Sequence, residues 1–151
     1  MKLKEREKVN IKVILDTSVY VAALLSKTGA SAAVFELVLS GKVFNFYTEE
    51  IFDEVKEVFS RAKFNVDKTR QEHVLNLIRE SSFLVELFER FKVQKSRDPK
   101  DDIFLSLTNQ TKANYLVTLD ADLLVLGKFA KTEILKPSEC LSKCRTLLAF
   151  E

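Results

Sequence analysis

The segment KVILDTSVYVAALL, residues 12–25, decides the fold class of this 151-residue chain. It begins inside an apolar run, Ile11–Leu15, that is rich in β-branched residues and stops at Asp16. A short run of this kind is typical of a buried central strand in a parallel sheet. Thr17 or Ser18 can then cap a helix over the rest of the segment. The segment therefore predicts a strand followed directly by a helix.

The rest of the chain repeats this alternation of strands and helices. Helices are predicted from Ser31 to Gly41, from Glu49 to about Ala62, over 67–80, from about Lys100 to Lys112, as a short turn ending at Gly127, and from Ser138. Strands are predicted at Val43–Tyr47, Tyr115–Thr118 and Thr132–Leu135, with strand or connecting segments at Phe83–Leu87 and Phe91–Val93. This order predicts a three-layer α/β domain. We assign residues 11–151 to one domain and residues 1–10 to a flexible basic tail.

The composition excludes several kinds of site. The chain has 24 Lys and Arg against 22 Asp and Glu, a net charge of +2, one His, two Cys and three Gly. One histidine excludes multi-histidine zinc sites, and three scattered glycines exclude Gly-rich phosphate loops. The longest apolar run, Val19–Leu25, has seven residues, too few to span a membrane. We expect a soluble, cytoplasmic protein whose metal ligands, where it has any, are carboxylates.

Two other residue types have structural interpretations. Cys140 and Cys144 lie four apart, which favours two small apolar residues on one helix face; a stabilising or redox bridge is the alternative. His73 is predicted to lie at the surface or the edge of the core.

A few acidic residues occupy special places along the chain. Asp16 and Asp120 each follow a predicted buried strand. Ligands of open parallel sheets bind beyond the carboxyl ends of the strands, so these two carboxylates are expected on one edge. Asp101 and Asp102 fall in the first turn of a helix, and Glu54 borders the apolar face of another.

Carboxylates that lie close together at one edge of the sheet favour the binding of a cation. Like charges at short range raise one pKa or require a positive ion between them. An all-oxygen cluster suits Mg²⁺ or Mn²⁺. Such an ion can lower the pKa of a water and neutralise charge on a phosphodiester.

Each acid also has a purely structural interpretation. Asp16 and Asp120 can be helix N-caps, and Glu54 can be a solvated helix residue. Asp98, Asp101 and Asp102 can be acids at a helix start that interact favourably with the helix dipole. Asp122 is either a supporting acid of the site or a solvated one. These alternatives weaken when the acids are considered together, in their order along the chain.

That ordered set resembles the PIN domain (PilT N-terminus) family of metal-dependent ribonucleases. The resemblance spans about residues 11–141 and rests on four stretches: KVILDTSVYVAALL, EEIFDEVKEVFSRAKF, RDPKDDIFLSLTNQTKANYLVTLDADLLVL and EILKPSECL. The last two are most similar to the branch of VapC-type toxins of toxin–antitoxin systems. The resemblance implies a three-layer α/β/α sandwich with a central parallel sheet of about five strands.

The resemblance also implies roles for individual residues. The family's acidic quartet, which would be catalytic and hold one or two Mg²⁺ or Mn²⁺ ions, matches Asp16, Glu54, Asp101 and Asp120. Asp122 would be a further metal ligand, and Asp102 a supporting or substrate-contacting acid. Small hydroxyl groups that orient the acids or a phosphate match Thr17, Ser18 and Thr118. Ser18 stands where many members have Asn. The match at the Asp101/Asp102 pair is ambiguous by one residue; Asp101 is preferred because apolar residues then follow it at the family's positions.

The activity implied is cleavage of single-stranded RNA by metal-activated water, with an antitoxin protein and a homodimer as further expected partners. Basic residues near the edge are candidates for RNA phosphate contacts or are ordinary solvated charges: Arg61, Lys63, Lys95, Arg97 and Lys100.

Two other functions compete with this hypothesis. A catalytically silent module that keeps the fold for RNA or protein binding is the first. The second is another acid-centred α/β protein. A phosphotransferase of the haloacid dehalogenase type needs Asp-x-Asp after the first strand, where this chain has Ser18, and a response-regulator pattern is not clear.

Overall fold

The computed structural model describes residues 9–94 and 98–149, so most of the predicted basic tail lies outside the described residues. In this part of the chain the strands are β1 Lys12–Leu15, β2 Phe44–Tyr47, β3 Phe83–Leu84, β4 Tyr115–Val117, β5 Lys128–Phe129 and β6 Thr132–Leu135. The α-helices are α1 Thr17–Leu25, α2 Ala30–Leu39, α3 Glu49–Phe59, α4 Lys68–Ser81, α5 Pro99–Thr111, α6 Ala121–Leu124 and α7 Pro137–Leu148, with short 3₁₀ turns at Ala62–Phe64 and Glu89–Phe91.

The described strands form one sheet in the order β3-β2-β1-β4-β6-β5. All neighbouring strands are parallel except β5 and β6, which pair antiparallel. The predicted α/β/α class with a mainly parallel sheet is therefore confirmed. The structure differs from the predicted strands in β5, a two-residue strand at one edge of the sheet that was not predicted. It is too short to leave a periodic pattern in the sequence.

The central strands are buried because helices cover both faces of the sheet. Leu15, Leu116 and Val117 are fully buried in the core. Helix α5 packs on β2, β1 and β4, whereas α1, α2, α3, α4 and α7 contact one another and form the second helical layer. A continuous apolar strand is the form that a sheet covered on both faces requires.

Most helix starts agree with the predicted capping residues. Thr48 accepts a hydrogen bond from Ile51 N (3.1 Å), and Asp67 accepts one from Arg70 N (2.8 Å). Two starts differ. The N-cap of α1 is Asp16 rather than Thr17 or Ser18. The predicted cap of α7 at Ser138 is wrong, because Pro137 takes the first helical position, for which its fixed φ is suited.

The remaining structural expectations concern the cysteines, the histidine and membrane spans. Cys140 and Cys144 are free, buried thiols whose sulfur atoms lie 3.8 Å apart. His73 is exposed on α4. No single helix in the described ranges is both long enough and apolar enough to cross a membrane. Among these residues, helices α1 and α2 meet both criteria only when they are taken together, and the chain bends by 102° between them.

Candidate active site

Strands β1 and β4 bring two chain segments together at the carboxyl edge of the sheet. They are neighbours, and Leu15 lies opposite Val117 in the parallel register. Asp16 N continues the ladder by donating to Val117 O (2.9 Å). The residues that follow both strands, Asp16 on one side and Thr118 to Asp120 on the other, therefore meet at one edge.

Asp16 occupies a helix N-cap position, yet its carboxylate makes no cap bond. Instead, Asp16 Oδ2 accepts hydrogen bonds from Ser18 Oγ (2.7 Å) and Thr118 Oγ1 (2.7 Å). The residue is only 6% exposed. Burial raises the pKa of Asp16, the two hydroxyl donors act in the opposite direction, and the charge of Asp120 raises it further. Two hydroxyls thus hold the carboxylate inside the sheet edge.

Asp101 is the second buried acid, also 6% exposed, in the first turn of α5. Its Oδ2 atom is buried and has no hydrogen-bond partner among the described residues. Burial raises the pKa of Asp101 to about 7, together with the negative charges of Asp120, Asp16 and other nearby aspartates. Its neighbour Asp102 is half-buried, and its carbonyl accepts from Ser106 Oγ (2.7 Å). The structure thus brings Asp101 to the other acids.

Asp120 and Asp122 stand at the start of the short helix α6. Asp120 Oδ1 accepts from Asp122 N (2.9 Å), and Asp120 N donates to Thr118 Oγ1 (2.9 Å). Asp120 is therefore a helix cap, as its structural interpretation proposed, and its charge also acts on Asp16 and Asp101. Asp122 is exposed, and its charge contributes to the raised pKa of Asp101.

Glu54 is joined to this group through a hydroxyl. Thr17 Oγ1 donates to Glu54 Oε2 at 2.6 Å, and Glu54 is half-buried on α3. Glu54 also lines a cleft of about 250 Å³ with Pro99 and Lys100 at the start of α5. Glu54 is therefore tied to the start of α1 through Thr17, the residue that follows Asp16.

The predicted phosphate-binding residues are spread more widely. Arg61 forms an exposed ion pair with Glu57 (2.9 Å), and Lys63 lies over the ring of Phe64 at 5.1 Å. Lys100 lines the same cleft as Glu54. Lys95 and Arg97 lie outside the described residues. Lys100 is thus the described candidate that shares a cleft with a predicted site acid.

The chemistry of the site fits a hard divalent cation. Its donors are carboxylate oxygens, one of them buried without a partner, and two of the carboxyls have raised pKa values. Within residues 9–94 and 98–149, no three His, Cys, Asp or Glu side chains converge into a complete ligand group. Mg²⁺ keeps several waters and uses few protein ligands, so such a group is not required.

Two residues at this edge were absent from the predicted site. Leu119, between Thr118 and Asp120, is 48% exposed, and its N–H donates to Ser18 Oγ (3.1 Å). Lys136 follows β6 directly, as Asp16 follows β1. That position after a predicted strand was the signal in the sequence, but a search restricted to acids passes over it.

Comparison with known proteins adds two findings. A family model described as "PIN domain" matches residues 12–122, a range that contains every acid discussed above. The chain is also similar to "Uncharacterized protein MJ1680" of Methanocaldococcus jannaschii, with 26% identity over 125 residues, which cover 82% of this chain and 80% of the relative.

Proposed function

The chain belongs to the PIN domain family, and from this premise we propose that it is a Mg²⁺- or Mn²⁺-dependent endoribonuclease that cleaves single-stranded RNA. Members of the family are generally nucleases that bind nucleic acid and typically depend on divalent metal. The observation that carries the proposal is the buried, unpartnered Oδ2 atom of Asp101, a carboxyl whose pKa is raised by burial and by the charges of Asp120 and Asp16.

The proposed metal ligands are Asp16, Asp101 and Asp120, with Glu54 and Asp122 beside them. When bound, a divalent ion supplies a water of lowered pKa and positive charge against the phosphodiester. Without it, burial, and after it the repulsion between neighbouring carboxylates, raises the pKa of Asp16 and of Asp101.

Hydroxyl groups of the chain orient these acids. Ser18 and Thr118 both donate to Asp16, and Thr17 donates to Glu54. Groups of this kind fix ligand orientation, and their loss typically weakens metal affinity 10–100-fold. Thr118 also accepts from Asp120 N, so one hydroxyl sets the positions of two acids on adjacent strands.

The finer expectations stay predictions. They are the toxin role, the antitoxin partner, the homodimer, the number of metal ions, phosphate contacts by Arg61, Lys63, Arg97 and Lys100, and a cytoplasmic location. The assignment of residues 11–151 to a single domain also stays a prediction.

The proposal is tested by RNA cleavage in Mn²⁺, with single-stranded and double-stranded substrates of one sequence. We expect Asp16→Asn and Asp120→Asn to lower the cleavage rate by about 100-fold or more, since each removes a carboxylate ligand of the proposed divalent ion. Asp67→Asn, an exposed helix cap on α4, is the matched control and is expected to cleave like the wild type. Equal activity of the wild type, Asp16→Asn and Asp120→Asn would refute the proposal.

A catalytically silent binding module gives a different result. It would bind RNA in a salt-dependent way but show no thermal shift with Mn²⁺. The nuclease proposal requires a Mn²⁺-induced shift that Asp16→Asn reduces.

A further inference from the structure

A second cavity, of about 280 Å³, lies next to the acids at the same edge of the sheet. Leu119, Lys136 and Ser138 line one side of it, and the start of α2, including Ser31, lines the other. Leu119 lies between Thr118, which holds Asp16, and Asp120. One residue of the cavity wall, Leu119, is therefore the direct neighbour in sequence of Asp120.

Two helices begin at this cavity without a side-chain cap. The N-cap of α2 is Gly29, and the N-cap of α7 is Lys136. Helix N-termini carry partial positive charge and present unpaired N–H groups to anions. The carboxylate of Glu139 accepts from Lys136 N (3.2 Å) and offsets part of this field at α7. The start of α2 carries no acid in its first turn.

Ser31 gives independent evidence of a ligand. It is 6% exposed and lines the cavity, and its hydroxyl finds no hydrogen-bond partner in the described part of the chain. The buried side-chain oxygens without a partner among the described residues are Asn45 Oδ1 and Asp101 Oδ2, so the Ser31 hydroxyl is open to the cavity that it lines. A hydroxyl of this kind, beside unpaired helix amides, is a donor for an acceptor that comes from outside the chain.

Lys136 supplies positive charge at the mouth of the cavity. It is exposed, and within residues 9–94 and 98–149 no ion pair engages it. It follows β6, which is the direct neighbour of β4 in the sheet. Its side chain thus starts one strand away from the acids.

We propose that this cavity binds a backbone phosphate of the RNA next to the one that is cleaved, through Lys136, the Ser31 hydroxyl and the first amides of α2. This inference rests on the proposed function and names a subsite of it. Leu119, exposed between the two sites, offers an apolar surface to the nucleotide that joins them.

The first experiment uses inorganic phosphate and the metal-free protein. In a ¹H–¹⁵N titration, we expect the amides of Ser31 and Ala32 to shift, and Lys136→Gln to reduce the shifts. The control is Lys131→Gln, an exposed lysine in the turn before β6, at the opposite edge of the sheet. Absence of shifts at the start of α2 overturns the proposal.

The second experiment measures single-stranded RNA binding by fluorescence anisotropy in EDTA over a range of salt concentrations. Lys136→Gln is expected to weaken binding about ten-fold and to reduce the slope of log K against log salt by about 0.7, the value for one phosphate contact. Lys131→Gln is expected to change neither. Equal slopes for the two variants overturn the assignment to RNA, even where inorganic phosphate shifts the amides.

Ser31→Ala separates binding from folding. Because the hydroxyl makes no hydrogen bond within the described residues and opens to the cavity, its removal is expected to leave thermal stability unchanged while it weakens phosphate and RNA binding several-fold. A variant that binds RNA and phosphate like the wild type contradicts the role of Ser31.

The two proposals can fail separately. If Asp16→Asn cleaves RNA like the wild type, the nuclease proposal is wrong, and the salt slope still tests the phosphate site. If cleavage depends on Asp16 while Lys136→Gln and Lys131→Gln behave alike, only the phosphate site is wrong.

Discussion

Helices α1 and α4 begin on the same residue type with nearly the same backbone, yet the two aspartates are used differently. Asp16 has φ −68° and ψ 155°, and Asp67 has φ −67° and ψ 154°. Asp67 is exposed and accepts from Arg70 N at 2.8 Å, which is ordinary capping. Asp16 is buried, makes no cap bond, and accepts from Ser18 and Thr118 instead.

The difference between the two helix starts comes from their neighbours. Thr118, directly after the adjacent strand β4, and Ser18, in the first turn of α1, both donate to Asp16. Thr69 occupies the position on α4 that matches Ser18, but among the described contacts it makes no such bond to Asp67. The carboxylate of Asp16 thereby gives up a stabilising bond to the helix and enters a region of like charge. Such departures from local rules are expected at functional sites, where stability is secondary to chemistry. Three predictions test this contrast.

The largest expected effect follows from removing the donor that holds Asp16. Thr118→Val keeps the shape of the side chain but loses the hydrogen bonds to Asp16 Oδ2 and from Asp120 N. We expect Mn²⁺ affinity, measured by calorimetry, to fall about 10–100-fold, with RNA cleavage at limiting Mn²⁺ falling in parallel.

Two variants serve as controls for Thr118. Thr118→Ser restores the hydroxyl and should recover most of the affinity. Thr132→Val removes another buried hydroxyl, one that donates to Ala113 O (2.6 Å) away from the acids, and should leave Mn²⁺ affinity unchanged. If Thr118→Val binds Mn²⁺ like the wild type, Thr118 does not position Asp16 for the ion.

The second prediction concerns the repulsion among the acids in metal-free protein. The pKa of Asp101 is about 7 in the folded state and 3.8 as a free side chain. As pH rises from 4 to 7, the unfolded state loses this proton first, so the folded state holds more protons and the free energy of unfolding falls. The pKa difference corresponds to about 4 kcal/mol, which solvent at the sheet edge reduces to about 1–2 kcal/mol.

Asp101→Asn removes this loss of stability. In EDTA, we expect the variant to be more stable than the wild type at pH 8 by about 1–2 kcal/mol and to lose the advantage near pH 4, as measured by urea unfolding. Asp53→Asn, an exposed acid on α3, should give no such pH dependence. A wild type and an Asp101→Asn variant with parallel stability curves would show that burial and repulsion do not act on this carboxyl.

Much of the fold was predictable because it depends on local pattern. The apolar runs before Asp16 and Asp120 gave β1 and β4, and Thr48 and Asp67 marked helix starts, since capping depends on neighbours in sequence. The family resemblance, built on the same segments, is confirmed by the match over residues 12–122. Strand β6 was predicted at Thr132–Leu135, but its hairpin partner β5 was missed because a two-residue strand shows no alternating pattern.

The candidate site was predictable only in part, because its geometry depends on contacts between distant segments. The order of the strands puts Asp16 beside Thr118, 102 residues away, and that contact decides which aspartate is withdrawn from capping. The choice between Asp101 and Asp102 likewise depends on burial, which the sequence did not settle. Lys136 directly follows a predicted strand, but it was overlooked because only acids were considered at such positions.

The smallest effect is expected at the other helix start. Asp67→Ala removes the bond to Arg70 N and should lower the free energy of unfolding by about 1 kcal/mol, or roughly 2–4 °C in Tm for a chain of this size, with no change in Mn²⁺-dependent cleavage. Asp16→Asn loses no cap bond, because none exists, and relieves a buried charge. In EDTA at pH 8 its stability should therefore equal or exceed that of the wild type while its cleavage is lost. If Asp16→Asn is destabilised as much as Asp67→Ala, Asp16 is a structural residue like Asp67, and the contrast between the two helix starts does not mark a functional site.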